Sequence, residues 1–180
     1  VVGTLEKVFN KLESPIPLGY SCAGRVVEVG REVAGIAAGD RVACGGAGYA
    51  SHAEMNYVPR NLAVKIPDGV GDEEASFVTV GAIALQGVRQ ANPRLGERVA
   101  VIGLGLIGQL TVQLLKANGC AVLGSDPDEG KRTLAFDLGA DRVSGPEDLV
   151  CASREFSRGA GVDAVIITAS TPSNQPVADA

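Results

Sequence analysis

Three glycines at the spacing G-x-G-x-x-G, Gly103, Gly105 and Gly108, follow the short apolar run Val99-Ala-Val-Ile102. A long apolar helical pattern leads from them to Asn118-Gly119, and a second apolar run, Ala121-Val-Leu-Gly-Ser125, ends in Asp126. The order is strand, turn, helix, strand. Each position in it has a chemical use. Gly103 permits a tight turn, Gly105 lets a pyrophosphate approach the main chain with no Cβ in the way, and Gly108 lets the helix pack close to the sheet. The helix start offers a diphosphate unpaired N–H groups and the positive end of its dipole. Asp126 stands roughly 20 positions downstream, the offset at which a carboxylate meets an adenosine ribose. It accepts from the 2′- and 3′-hydroxyls and repels a 2′-phosphate, which favours NAD over NADP. Ser125 and Arg132 stand close by and soften that preference. A glycine loop alone is a weak signal, shared with methyltransferases. The flanking strands, helix and acid in register carry the nucleotide-binding reading.

The elements around this motif alternate. A helix is expected from about Asp128 to Leu138, ending at Gly139, then a short strand at Arg142-Val143. A helix from Pro146 to about Ser157 and a buried strand at Val162 to Thr168 complete a β-α-β-α-β-α-β order. A full dinucleotide fold has six strands, so the expected sheet is doubly wound, parallel and incomplete.

The first half has another texture. Leu5, Val8, Phe9 and Leu12 at helical spacing, with Thr4 as a possible cap, predict a short amphipathic helix ended by Pro15 and Pro17. From Leu18 to Pro67, β-forming runs alternate with glycine turns: Cys22 to Val29, Asp40 to Cys44, Ala50 to Val58 and Leu62 to Ile66. Four strands are too few to close a barrel. Asp72-Glu73-Glu74 suits a helix N-terminus, and Ala75 to Gln90 is expected to be helical with an interruption near Gly81. The domain boundary is placed near Ala91, giving units 1–91 and 92–180.

Composition narrows the class. The 180 residues, 46% of them hydrophobic, suit one large or two small packed domains. No run approaches the roughly 18 apolar residues of a membrane span, and no secretory signal opens the chain. A net charge of −5 and a pI near 4.9 leave no basic footprint for nucleic acid. Cys22, Cys44, Cys120 and Cys151 stand far apart, which suggests reduced, small apolar residues in a cytoplasmic protein.

Several runs together carry a family likeness. Gly24-Arg-Val-Val-Glu-Val-Gly30, Gly39-Asp-Arg-Val42, Val58-Pro59, Ile66-Pro-Asp-Gly69, the Val99 to Gly108 loop and Leu138-Gly-Ala-Asp141 resemble the medium-chain dehydrogenase/reductase superfamily. The likeness runs from Leu18 over nearly the whole chain. Pro17-Leu-Gly-Tyr-Ser21 and Ala47-Gly-Tyr-Ala-Ser-His52 resemble its zinc-binding dehydrogenase-like subgroup, often the front module of two-domain oxidoreductases. The resemblance implies a partial GroES-like β-barrel domain, an α/β Rossmann domain and a cofactor cleft between them. It implies Gly103, Gly105, Leu106, Ile107 and Gly108 at the pyrophosphate, Asp126 and Lys131 at the ribose, and Thr168 and Ala169 beside the cofactor. Lys131 has a plainer reading as a solvated helix residue.

Zinc alcohol dehydrogenases of this superfamily carry Gly-His-Glu where this chain has Gly19-Tyr20-Ser21, and a later cysteine ligand falls at Thr79. The four-cysteine structural loop is missing, since Cys44 leads straight into Gly45. Zinc is therefore not expected. Tyr20 is the candidate catalytic residue, a phenol able to pass a proton or polarise a carbonyl; its plainer role is to fill the space of a lost metal. In the expected strand Ala50 to Val58, alternation puts His52, the single histidine, on the polar face with Glu54 and Asn56, opposite Ala53, Met55 and Tyr57. The expected parent is an NAD(H)-dependent oxidoreductase moving a hydride between nicotinamide and an alcohol, carbonyl or sugar-like small molecule. The alternative is a nucleotide-binding module without catalysis. The 180 residues are expected to be a fragment of little activity, with barrel strands before Val1 and the rest of both domains after Ala180. Should these 180 residues stand alone, the Val162 to Thr168 edge is expected to self-associate or to pair with another chain, and the protein is expected to be a homo-oligomer.

Overall fold

The computed structural model describes residues 17–180, so the expected Val1 to Glu13 helix lies outside the described residues. The chain divides into two compact units, 1–79 and 80–180. The division falls inside the helix Val78–Ala91.

The first unit holds a three-stranded antiparallel sheet in the order β1-β2-β3: Ser21–Arg25, Arg41–Gly45 and Ala63–Lys65. Alternation along β2 splits its side chains between two cores. Val42 and Cys44 pack with Ile36 and Ala50, while Ala43 packs with Ile66 and Ala75. The strand expected from Ala50 to Val58 does not form. Asn56 explains why: its side chain accepts from the N–H of Ser51 and donates to the carbonyls of Ser51 and Ala53, curling the segment into local turns. Met55 and Tyr57, expected to face a core, are exposed, Tyr57 to 91%. Alternation therefore says nothing about His52.

Helix α1, Asp72–Ala75, carries three acids in its first turn, as its N-terminal dipole favours. Helix α2 runs Val78–Ala91 without a break at Gly81; the interruption lies at Ser76 and Phe77, between the two helices.

The second unit is an α/β/α sandwich on a parallel sheet ordered β6-β5-β4-β7. The strands are β4 Arg98–Ile102, β5 Ala121–Ser125, β6 Arg142–Ser144 and β7 Ala164–Ile167. Between them lie helices α3 Leu106–Ala117, α4 Glu129–Asp137 and α5 Leu149–Phe156, with a short 3-10 turn at Pro146–Asp148 before α5 and a last short helix, α6, at Gln175–Ala178. Strand β4 is interior to the sheet and buried on both faces from Val99 to Ile102, and that stretch is apolar. Val99 and Val101 join a core with Val112, Leu115 and Ala135; Ala100 and Ile102 join another with Leu149 and Ala152. Each fully buried aliphatic side chain contributes about 1.5–3 kcal/mol. Strand β7, expected to be buried, is half-buried because it forms the end of the described sheet, and Ile167 is exposed.

Chain order reverses between β4 and β7. From β4 the chain steps outward to β5 and β6, then crosses to the other side of β4 for β7. In open α/β sheets the carboxyl ends of the strands flanking such a reversal frame the ligand crevice. Here those ends are Ile102 and Ile167.

Candidate functional site

The glycine turn lies at the carboxyl end of β4. Gly103 has φ +95°, a left-handed conformation closed to most side chains. A Cβ there would also stand 2.5 Å from the main-chain nitrogen of Ala169, just after β7. Gly108, on the first turn of α3, lies against the carbonyl oxygen of Gly103, and a Cβ would collide with it. Thr168 completes this packing: its N–H donates to the Ile102 carbonyl at 2.8 Å and its hydroxyl donates to the Gly103 carbonyl. The fold itself therefore demands two of the three glycines.

Gly105 is different. Its φ of −70° and ψ of −168° suit any residue, and a Cβ would meet nothing within 4 Å. Neither backbone strain nor protein packing calls for glycine at this position. It is the N-cap of α3, where no side chain caps the helix and no acid stands in the first turn. Helix α4 contrasts with it, because Asp128 accepts from the N–H of Lys131 and Glu129 sits in the first turn. The start of α3 thus combines unpaired N–H groups, an uncompensated dipole and open space. Leu106 is exposed and Ile107 half-buried beside it.

Asp126 stands at the carboxyl end of β5 and touches this loop. Its Oδ2 accepts from the N–H of Leu104 at 2.8 Å, and its Oδ1 accepts from the N–H of Asp128 at 2.9 Å. Only 6% of the residue is exposed. An ionised carboxylate has about four acceptor directions, so capacity remains beyond these two bonds. The ammonium of Lys131, half exposed on α4, lies 3.9 Å from Oδ1. Arg132 points its guanidinium at the main chain, donating to the carbonyls of Asp126 at 2.7 Å and Pro127 at 2.9 Å. Ser125 is fully buried. Gly103, Gly105, Leu106, Ile107, Gly108, Asp126, Lys131, Thr168 and Ala169 all lie at the carboxyl ends of β4, β5 and β7 or on the helix turns that follow.

Sequence reasoning passed over Gln109. Its buried amide nitrogen donates to the Leu104 carbonyl at 3.0 Å and the Lys131 carbonyl at 2.9 Å. The signal was a lone polar residue in the apolar start of α3.

In the first unit, Tyr20 and Thr79 come together. The Thr79 hydroxyl donates to the Tyr20 carbonyl at 3.1 Å, and the Ser21 hydroxyl donates to the Ser76 carbonyl at 2.6 Å while accepting from the N–H of Thr79. Gly45 leaves room for Thr79, whose Oγ1 lies 2.6 Å from where a Cβ would stand. Tyr20 is 46% exposed, so its ring is not core filling. His52 lies against Gly19, whose φ of +92° and contact with the imidazole both exclude a Cβ. Tyr20, Ser21 and Thr79 offer hydroxyls, and the His52 imidazole against Gly19 is a single donor where a tetrahedral zinc site needs three or four. Among the described residues no group of three His, Cys, Asp or Glu is placed to hold a metal.

Two adjacent families match the chain: the alcohol dehydrogenase GroES-like domain over residues 2–68 and the zinc-binding dehydrogenase family over residues 107–178. The D-guloside 3-dehydrogenase of Escherichia coli is 36% identical over 130 residues, covering 72% of this chain and 37% of that protein. The alcohol dehydrogenase of Geobacillus stearothermophilus is 31% identical over 187 aligned positions, covering 88% of this chain and 56% of that protein. A Sinorhizobium meliloti protein described as a zinc-binding dehydrogenase, solved with NADP bound, superposes with a TM-score of 0.79 at 29% identity, covering 91% of this chain and 56% of that one. The chain thus belongs to the medium-chain dehydrogenase/reductase superfamily, among its zinc-type, alcohol-dehydrogenase-like members. It spans between a third and three fifths of the length of the relatives named above.

Proposed function

We propose that this chain is the dinucleotide-holding part of an NAD(H)-dependent oxidoreductase that acts on an alcohol, carbonyl or sugar-like small molecule without zinc. The observation that carries the reading is Gly105, a glycine the fold does not need, facing open space at an uncapped helix start. A pyrophosphate there takes the free N–H groups of α3 and meets no side chain. Asp126 accepts from the adenosine ribose hydroxyls with its remaining lone pairs, and Lys131 closes over the same sugar. Thr168 and Ala169 hold the turn against β7. A bound nicotinamide supplies the hydride acceptor or donor, and the chain supplies its position.

The carboxylate of Asp126 opposes a 2′-phosphate. Arg132, the nearby cation able to offset it, is engaged by two main-chain carbonyls. Both favour NAD, although the Sinorhizobium relative was solved with NADP. The sugar-like substrate class rests on the likeness to the guloside dehydrogenase. Tyr20, half-exposed, is the proposed proton donor, at the position where the family resemblance implies a metal ligand. A second reading, a nucleotide-binding module without catalysis, is favoured by the lack, among the described residues, of a group of three metal-ligating side chains. Homo-oligomerisation of the full-length protein is part of the same proposal.

The test is titration of the full-length protein with NADH and NADPH in turn, followed by NADH oxidation across a panel of carbonyl compounds. NADH binding tighter than NADPH by about tenfold or more, about 1.4 kcal/mol, is the expected result. Binding of neither overturns the reading, and binding without turnover on any compound selects the module.

A further inference from the structure

Four residues form a closed ring of contacts at the carboxyl end of the second unit's sheet. The N–H of Leu104 donates to Asp126 at 2.8 Å, and the carbonyl of Leu104 accepts from Gln109 at 3.0 Å. The same Gln109 nitrogen donates at 2.9 Å to the carbonyl of Lys131, whose ammonium returns to within 3.9 Å of Asp126. Leu104 belongs to the turn proposed to seat the pyrophosphate, and Asp126 and Lys131 are the pair proposed to hold the ribose. Gln109 is buried behind them, on the second turn of α3.

We propose that Gln109 is a positioning residue that ties the pyrophosphate-facing turn to the ribose-facing first turn of α4, so that one dinucleotide engages both at once. This inference rests on the dinucleotide reading above. The primary amide is suited to the task because both of its N–H bonds are used, one on each carbonyl. A carboxylate of the same shape has no donor and would set negative charge beside two carbonyl oxygens. A thioether would fill the volume and leave the two segments untied. Lys131 is held at both of its main-chain polar groups, its carbonyl by Gln109 and its N–H by Asp128 at 3.0 Å.

The tie has a consequence that a purely structural role lacks. A ligand spanning both segments gains from their fixed spacing, whereas a ligand seated on one of them does not. The experiment compares Gln109→Met and Gln109→Glu with the unsubstituted full-length protein, measuring NADH and adenosine affinity and a thermal melt. NADH affinity is expected to fall about tenfold in both variants while the affinity for adenosine, which has no phosphate and reaches only the ribose side, stays within about twofold. The isosteric Gln109→Glu gives the reading should Gln109→Met fail to fold. Unchanged NADH affinity, or equal losses for NADH and adenosine, overturns the positioning role alone. Failure of the unsubstituted protein to bind NADH or NADPH overturns the dinucleotide reading and this inference with it.

Discussion

The carboxylate of Asp126 holds the main-chain N–H of Leu104 at 2.8 Å, fastening the end of one strand to the glycine turn after its neighbour. Spacing alone gave Asp126 a ribose to bind. The coordinates add that it anchors the loop, so one buried acid has a structural duty and the capacity for a recognition duty.

Replacing Asp126 therefore has two effects. Asp126→Asn keeps one acceptor oxygen and turns an NH2 toward one of two main-chain donors. Stability is expected to fall by about 1–3 kcal/mol, the cost of a buried donor left unmade. The ratio of NADPH to NADH affinity is expected to rise about tenfold, equivalent to about 1.4 kcal/mol. A melt and paired titrations read both. An unchanged ratio removes Asp126 from cofactor discrimination.

Gly108→Ala tests close packing. The new methyl meets the Gly103 carbonyl, a main-chain atom held by Thr168. Overpacking of this kind costs about 1–3 kcal/mol, visible as a lower midpoint in denaturant. An unchanged midpoint contradicts the packing of the helix against the turn.

Tyr20→Phe removes the phenol and keeps the ring. Turnover of the full-length enzyme is expected to fall by about 100-fold or more, the scale of a lost general acid, with NADH affinity unchanged. Zinc measured on the same protein should be well below one atom per chain, given the hydroxyl donors around Tyr20 and Thr79. Full turnover in the variant removes Tyr20 from the chemistry, and stoichiometric zinc overturns the metal-free proposal.

Much of the second unit was legible because its sequence repeats one physical pattern. Apolar runs of strand length ending in glycine or an acid, followed by helical periodicity, fixed the four strands within a residue or two. The first unit was harder to read. Ala50 to Val58 has the composition of a strand, yet Asn56 turns its side chain back on Ser51 and Ala53, a local competition that alternation does not register. Gly81 suggested a break in α2, but a single glycine within an otherwise good helix costs only about 1 kcal/mol. Gln109 and the anchoring bond of Asp126 are tertiary. The distances between Leu104, Lys131 and these side chains exist only once α3 and α4 are packed. Of the cysteines, Cys44 and Cys120 are buried as expected, while Cys151 is exposed because it lies on the outer face of α5.

Cys22 and Cys44 face each other across β1 and β2, and burial, then the neighbouring Cys22, pushes the Cys44 thiol up to about 11 from an ordinary 9.0. The folded state thus favours the neutral thiol. Stability from this group is complete below pH 9.0, where folded and unfolded thiols are both protonated, and is lost as the pH rises through about 11. Denaturant midpoints of the first unit should fall across that window, and less so in Cys44→Ala. Alkylation near neutral pH should reach exposed Cys151 first and Cys44 late. An equal fall in Cys44→Ala assigns the alkaline loss to another group.

The most direct test of the seat on bare main chain is NADH titration of Gly105→Val, with Gly105→Ala as the smaller step and a thermal melt of each. The backbone at Gly105 accepts either residue and no protein atom opposes a Cβ, so the melting temperature should shift only by the loss of a tolerant N-cap, about 1 kcal/mol. NADH affinity should fall about tenfold for the alanine and further for the valine. A valine variant that stays folded and binds NADH as tightly as the original protein contradicts the account.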